Sequence, residues 1–180
     1  IFVDNIKQQS SQGSGTITIG ASGETVALAS GVSAGAGMGK ILQVKQTIMS
    51  GDGSSTTGAF PIEAGISVSI TPSSTSNKIL ATLDCCVGVN TDYWVLAGIK
   101  RDSTVIGRQR TSPKSGSGAP QDLIPVSITI LDSPSSVSSL TYHAVFGGHT
   151  SGATATFNYR PDHSASTTGY SAITVMEVAV

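Results

Sequence analysis

Charged side chains are scarce in this sequence, since Asp, Glu, Lys and Arg supply only 12% of its 180 residues. That is about half the share of an ordinary globular domain. The net charge is −1 and no basic stripe is present, so the composition gives no support for nucleic-acid binding. Apolar runs are short, and no segment predicts membrane insertion. The chain opens on Ile1 without a signal peptide, so we expect a fragment or a processed product.

Cysteine is nearly absent as well, and its two copies, Cys85 and Cys86, are adjacent. Successive side chains of a strand point to opposite faces, so these two are poorly placed to bond to each other. We expect two lone buried thiols, and a fold whose stability does not depend on disulfides.

Small and hydroxylated residues dominate what is present: 28 Ser, 20 Thr and 21 Gly. The hydrophobic share is still 38%, and much of it is Val and Ile, which argues against a disordered chain. Ser, Thr, Gly and β-branched residues are mediocre or poor helix formers. No window of a dozen residues shows an apolar period near 3.6, so the sequence predicts an all-β fold with essentially no helix.

Residues 1–39 differ from the remainder of the chain. Two short alternating segments, 15–20 and 23–31, are each bounded by glycine, and residues 33–39 form a glycine-rich joint. Units this small cannot bury an apolar face alone, although three chains around an axis would do so. We therefore predict a short trimeric β shaft, with a flexible linker as the alternative. Its candidate subunit contacts are Ile17, Ile19, Val26 and Leu28.

Residues 40–180 alternate apolar and polar positions between turn-rich breaks, and we predict a jelly-roll β-sandwich head over this range. The predicted strands are 41–49, 65–71, 79–89, 93–101, 104–110, 122–131, 139–147, 153–160 and 172–179. Some strands, including the last, are partly apolar on both faces. That pattern indicates a second burial by a partner subunit, with Val175 and Val178 as candidate interface residues.

No catalytic motif emerges, so we expect a protein that is not an enzyme and uses no cofactor. The eleven carboxylates are spread singly, whereas a glycan depolymerase needs a positioned carboxyl pair. His143, His149 and His163 raise the alternative of a metal site on a trimer axis, with His143 facing the axis. Local hydrogen bonding of a strand or loop histidine is the expected outcome. The glycine-rich stretches lack the Lys-Ser/Thr ending of a phosphate loop.

Recognition is the better-supported class of function. If the chain enters along the shaft, strand alternation brings loops 50–61, 90–92, 111–121 and 160–171 to the far tip. Aromatic faces beside Arg, Asp and His suit a saccharide or protein receptor. For Trp94 a packing role in the core or between subunits remains the alternative. The candidate receptor-binding residues are Asp92, Tyr93, Trp94, Arg108, Arg110, Arg160, Asp162, His163 and Tyr170.

Three stretches resemble phrases common in tail-fibre and tail-associated proteins of marine and cyanobacterial phages. They are residues 66–80 (ISVSITPSSTSNKIL), 127–134 (SITILDSP) and 172–179 (AITVMEVA). The resemblance implies a homotrimeric, receptor-binding part of a virion fibre that attaches the particle to host glycan or protein by multivalent contact. Its N-terminal part would bind other virion proteins. The alternatives are a head fibre, decoration or adaptor protein, and a depolymerase on the same scaffold.

The head is also similar to the trimeric jelly rolls of complement globular heads and tumour-necrosis-factor-type ligands. The order of strands and turns carries this likeness, with the strand–turn–strand unit 95–106 and the Asp-containing turn 130–134 as its landmarks. The sequence departs from those families in lacking their aromatic-rich core. The likeness therefore implies a fold and does not by itself imply a function.

Overall fold

The structure is a computed structural model that describes residues 40–51, 53, 55–90, 94–111, 123–149, 154–160 and 169–180. The chain divides into two units, Ile1–Met38 and Gly39–Val180, and every described residue belongs to the second. The shaft and joint predicted for residues 1–39 lie outside the described residues. So do the interface candidates Ile17, Ile19, Val26 and Leu28.

Ten strands form the described part of the chain, which contains no helix. No helix long and apolar enough to cross a membrane occurs there either. The prediction of an all-β fold is confirmed, and each predicted strand has a counterpart within a few residues. Only the two-residue β2 was missed. The strands are β1 (Ile41–Ser50), β2 (Ser55–Thr56), β3 (Ile62–Ile70), β4 (Lys78–Val89), β5 (Val95–Arg101), β6 (Thr104–Thr111), β7 (Ile124–Asp132), β8 (Leu140–Gly148), β9 (Ala155–Phe157) and β10 (Tyr170–Val178).

The strands form two antiparallel sheets. In the first, which we call the β10 sheet, the main order is β1-β10-β4-β7. β9 continues along the edge of β4 beyond β10, and β2 pairs with β9. The second, the β5 sheet, has the order β3-β8-β5-β6. The six-stranded β10 sheet and the four-stranded β5 sheet, with this crossing of strands between them, form a jelly-roll sandwich, the architecture predicted for residues 40–180.

The core lies between the two sheets and follows the predicted alternation. In β4 the odd positions from Ile79 to Val89 point inward, and all of them are buried. In β5 the inward residues are Val95, Ala97 and Ile99. Aliphatic residues fill most of the core, and the large aromatic members are Tyr142, Phe146 and Phe157. Alternation of this kind follows from the period of two in a strand.

Val175 was predicted at a subunit interface, and the structure corrects this. Its side chain is 0% exposed and belongs to the core between the sheets. Because neighbouring strand residues point to opposite faces, Val178 points outward and is half-buried. The even positions of β10 therefore form its outer face, and the odd positions contribute to the core.

Hydrogen-bond networks close the end of the sandwich where β1 begins and β10 finishes, which we call the base. The buried Glu177 carboxylate accepts hydrogen bonds from Gln43, Ser73 and Asn77. A second network joins three strands through Asp132. Each carboxylate oxygen of Asp132 accepts a hydrogen bond from Arg101 Nη1 at 2.6 Å, and Oδ2 also accepts one from Tyr142 Oη at 2.7 Å.

Candidate functional site

At the opposite end of the sandwich, which we call the tip, lie the ends of several strands near the predicted receptor-binding residues Trp94 and Arg110. Antiparallel pairing brings the end of β4 beside the start of β9, and the end of β8 beside the start of β5. β6 ends at the same level, since Thr111 pairs with Val95. These strand ends therefore lie together at one end of the sandwich, a position where binding residues are commonly found on such folds.

Three side chains from three segments meet on the outer face of the β5 sheet at the tip. The Arg110 guanidinium carbon lies 3.9 Å from the centroid of the Trp94 ring, a cation–π arrangement. The His149 ring meets the same indole edge-on, with centroids 4.8 Å apart and planes at 79°. The His149 amide also donates to the Trp94 carbonyl at 3.0 Å. We call Trp94, Arg110 and His149 the tip cluster.

The indole of the tip cluster remains accessible, because the Trp94 side chain is 38% exposed. Trp94 immediately precedes β5. Because the inward positions of that strand are Val95, Ala97 and Ile99, Trp94 belongs to its outward-facing positions. In the single chain Trp94 is therefore not a core residue. An exposed indole with one cation stacked on it combines an apolar surface with directional donors.

Two glycines let a loop segment lie across the same outer face. A Cβ at Gly147 would stand 2.6 Å from the Phe60 backbone nitrogen, and a Cβ at Gly98 would stand 3.0 Å from Phe60 Cζ. The Phe60 amide donates to the Gly148 carbonyl at 3.1 Å, which ties this segment to β8. Side chains at either glycine would displace Phe60, so the glycines shape the surface beside the tip cluster.

A cleft of about 410 Å³ opens between this segment and the edge strand β6. Its lining combines aromatic, aliphatic and cationic groups: Phe60, Pro61, Val105, Ile106, Gly107 and Arg108. Arg108 and Arg110 are two residues apart on β6, so both point to the outer face, about 7 Å apart along the strand. The cleft and the tip cluster are therefore adjoining parts of one surface.

The electrostatics of this surface are positive. Among the described residues neither Arg108 nor Arg110 is paired with a carboxylate, and both are exposed. The carboxylate of Glu63, on the same sheet face, is instead bound by Lys100, with His143 Nδ1 3.6 Å from its other oxygen. The hydrogen bond from Lys100 is the main cause that lowers the pKa of Glu63. The two guanidinium groups thus remain available for an anionic ligand.

The predicted receptor-binding residues do not all come together. Trp94, Arg108 and Arg110 share the surface just described. Arg160 is half-buried and follows β9 in the β10 sheet. Tyr170, 59% exposed, begins β10 and lines a separate cleft of about 290 Å³ with Asp84, Cys86, Pro125 and others. The remaining candidates, Asp92, Tyr93, Asp162 and His163, lie outside the described residues.

Sequence reasoning missed Phe60 as a neighbour of the site and considered His149 only as a metal ligand. Glycines within strands, at Gly98 and Gly147, were the available signal for Phe60, because they mark a close approach of another segment. No local signal could have found the His149 contact, which depends on the pairing of β5 with β8.

Metal and thiol chemistry find little support in the described part of the chain. No group of three His, Cys, Asp or Glu side chains that could hold a metal ion occurs among the described residues. His143 Nδ1 lies 3.6 Å from a carboxylate oxygen of Glu63. Cys85 and Cys86 are both free, the first buried and the second half-buried, so the second thiol is less buried than predicted. Burial raises the pKa of Cys85 to about 12, and it also raises the pKa of Cys86, so both remain thiols at neutral pH.

No protein-family model and no curated protein matches the chain. Among solved structures, the chain is similar to the CBM36-1 domain of a multidomain xylanase from the hindgut metagenome of Trinervitermes trinervoides. That match has 16% identity and a TM-score of 0.34, and it covers 72% of this chain and 96% of that one. A second match is the infectious bursal disease virus VP2 subviral particle, with 11% identity, a TM-score of 0.32, and coverage of 77% of this chain and 40% of that one.

Proposed function

We propose that this chain is part of a bacteriophage virion fibre, with residues 40–180 as its jelly-roll head, and that it attaches the particle to a glycan on the host surface. The observation that carries the proposal is the tip cluster, in which Arg110 and His149 hold an exposed Trp94 at the end of a rigid sandwich. Sequence resemblance to phage fibre proteins supplies the virion context. Attachment of this kind needs no catalytic group and gains strength from several copies acting together.

The chemistry of the site favours an acidic saccharide. Sugar rings pack against aromatic faces through their C–H groups, and Trp94 and Phe60 offer such surface on either side of Arg108 and Arg110. Guanidinium groups bind carboxylates and phosphates through paired hydrogen bonds, which fits a uronate or a phosphorylated sugar. Because neither arginine is paired with a carboxylate among the described residues, ligand binding would break no ion pair there.

The test uses Trp94, the single tryptophan of the chain, as its own reporter. The full chain is titrated with oligogalacturonate as an acidic probe and with maltooligosaccharide as a neutral one, and indole emission is followed. We expect a saturable change with the acidic probe that weakens as salt is raised. Losing one charged hydrogen-bond donor should weaken binding about tenfold in Arg108→Ala and in Arg110→Ala.

The matched control is Lys45→Ala, which removes an exposed cation from β1 in the other sheet and should leave the titration unchanged. Equal affinities for the three alanine variants would exclude this surface as the binding site. A response to the neutral probe alone would exclude an acidic ligand.

The alternative function is an adaptor or decoration protein that binds other virion proteins. The observation that favours it is the resemblance of residues 66–80, 127–134 and 172–179 to phage fibre proteins, because that resemblance does not distinguish one virion appendage from another. Purified chain that binds isolated virion components, yet leaves host cells and their lipopolysaccharide unbound, would favour the adaptor over the attachment role.

A further inference from the structure

The outer face of the β10 sheet carries a continuous row of aliphatic side chains. Val44 pairs with Met176, Met176 with Leu80, and Leu80 with Leu131, so the row crosses all four strands β1, β10, β4 and β7. Residues paired across antiparallel strands project on the same side. The two ends of the row are well exposed, Val44 at 52% and Leu131 at 55%. We call these four residues the aliphatic row.

The neighbouring row toward the tip is polar but internally satisfied. It consists of Gln46, Thr174, Thr82 and Thr129, paired in the same register. Gln46 Nε2 donates to Thr174 Oγ1 at 2.8 Å, and the hydroxyls of Thr82 and Thr129 lie 3.4 Å apart. Polar groups that already have partners lose less on burial than isolated ones. This row can therefore be covered together with the aliphatic row.

Among the residues that the structure describes, few charged side chains lie on this face. The next row toward the tip contains Asp84, whose carboxylate accepts a hydrogen bond from Ser127 at 2.6 Å. On the base side, the row next to the aliphatic row contains Lys78, whose Nζ donates to the Ser133 hydroxyl at 3.2 Å. The described residues thus place one anion, Asp84, and one cation, Lys78, on this face, with no net charge between them. The outer face of the β5 sheet, by contrast, carries Glu63, Lys100, Arg108 and Arg110.

This contrast between the two outer faces points to different surroundings. The solvent face of an antiparallel sheet is ordinarily polar, as the β5 sheet is. A row of aliphatic side chains across four strands, exposed at both ends and flanked by polar groups that already have partners, marks a contact with another protein. Because the described part of this face has no net charge, an identical copy can approach it without bringing like charges together. A strongly charged partner would find only one group of each sign there, Asp84 and Lys78.

The size of the face also suits a contact between copies. Four strands about 4.8 Å apart and about nine residues long, at about 3.3 Å per residue, span roughly 600 Å² in projection. Because side chains protrude from the sheet, its accessible area is larger than this projected area. A stable interface buries about 800 Å² per partner. Ile48 at 48% and Ile41 at 56% exposure extend the apolar surface along β1, since they pair with Ala172 and Val178 on the outward-facing register of β10.

We propose that the aliphatic row is the interface through which copies of this chain associate. The inference rests on the proposed function to the extent that multivalent attachment requires an oligomer. Val178, predicted for an interface from the sequence, lies on this same outer face.

The experiment substitutes the two exposed ends of the row in the full chain, as Val44→Glu and Leu131→Glu. Both sites are more than half exposed in the single chain, so a glutamate there should not disturb the fold. We expect the unsubstituted chain to sediment as a multiple of its 18.2 kDa mass, and each variant to sediment at 18.2 kDa with an unchanged far-ultraviolet circular dichroism spectrum. The matched control is Ser69→Glu on the outer face of the β5 sheet, which should keep the mass of the oligomer.

A second measurement needs no variant. Met176 sits in the middle of the row, so its oxidation by peroxide should slow as the concentration of the unsubstituted chain is raised. Variants that keep the oligomeric mass, or Met176 oxidation independent of concentration, would overturn the inference. An unsubstituted chain that is monomeric, with the row covered by its own residues 1–39, would also overturn it. Acidic-saccharide binding by Trp94 fluorescence is measured separately in each variant, so failure of the interface is distinguishable from failure of the binding site.

Discussion

The buried carboxylate of Glu177 offers a sharp test of how the base of the sandwich is held. The side chain is 0% exposed, and no cation is bonded to it among the described residues. Its Oε1 accepts from the Ser73 amide at 2.7 Å, the Ser73 hydroxyl at 2.7 Å and Asn77 Nδ2 at 2.6 Å. Its Oε2 accepts from Gln43 Nε2 at 2.6 Å. Four donors thus converge on one anion and link β1, β10 and the turn between β3 and β4.

These donors stabilise the charged form of the carboxylate. Burial by itself raises the pKa of Glu177, but the hydrogen bonds from Asn77, Gln43 and Ser73 together outweigh it. They hold the pKa at about 2, below the ordinary 4.5. A difference of that size between the folded and unfolded chain corresponds to about 3 kcal/mol of folding free energy at neutral pH. This contribution is complete above the unfolded pKa and is lost as the pH falls through the folded pKa.

The perturbation is Glu177→Gln, which keeps the shape of the side chain and removes the charge. One oxygen becomes an NH₂ group that faces a donor, so we expect the free energy of unfolding to fall by about 3 kcal/mol at pH 7. For a domain of this size that is roughly 10 °C in melting temperature. Far-ultraviolet circular dichroism follows unfolding at one protein concentration, since oligomers unfold at concentration-dependent temperatures.

The same substitution at Glu63 is the matched control. Glu63 is half exposed on the surface and paired with Lys100, and exposed ion pairs contribute less than about 1 kcal/mol. The difference in free energy of unfolding between the unsubstituted chain and Glu177→Gln should have its full size above about pH 5 and should shrink toward zero near pH 2. A Glu177→Gln variant no less stable than Glu63→Gln would refute the reasoning. A difference that stays constant down to pH 2 would assign the loss to packing and not to charge.

Two further predictions concern single positions. In Gly147→Ala the new Cβ would stand 2.6 Å and 2.7 Å from the Phe60 backbone nitrogen and Cα. We therefore expect a loss of about 1–3 kcal/mol in thermal unfolding, whereas Thr141→Ala on the same strand should cost less. Because Cys85 is the more deeply buried thiol and its pKa is raised to about 12, iodoacetamide at pH 8 should alkylate Cys86 first, as read by mass spectrometry. A disulfide between the two cysteines, seen as the loss of two hydrogens, would contradict the latter prediction.

Strand positions and most inward faces were predictable from the sequence because alternation is a local property. A strand that buries one face needs apolar residues at every second position, and the odd positions of β4 show this pattern plainly. Turn residues marked most of the breaks for the same reason. The prediction was weakest at β10, where both faces contain Val and the inward one ends in Glu177. A glutamate ordinarily indicates a solvent face, so local pattern gave the wrong environment for Val175.

The sequence alone thus determined the β class, the strand boundaries to within a few residues and the two-layer architecture, since these depend on period and turn chemistry. Tertiary structure was required for everything that depends on which strands are neighbours. Trp94, Arg110 and His149 come from separate segments, and they meet only because β5 pairs with both β6 and β8. The aliphatic row likewise requires the register of four strands spread over residues 41–178. Glu177 can be buried because its donors, distant in sequence, converge on it in the folded chain.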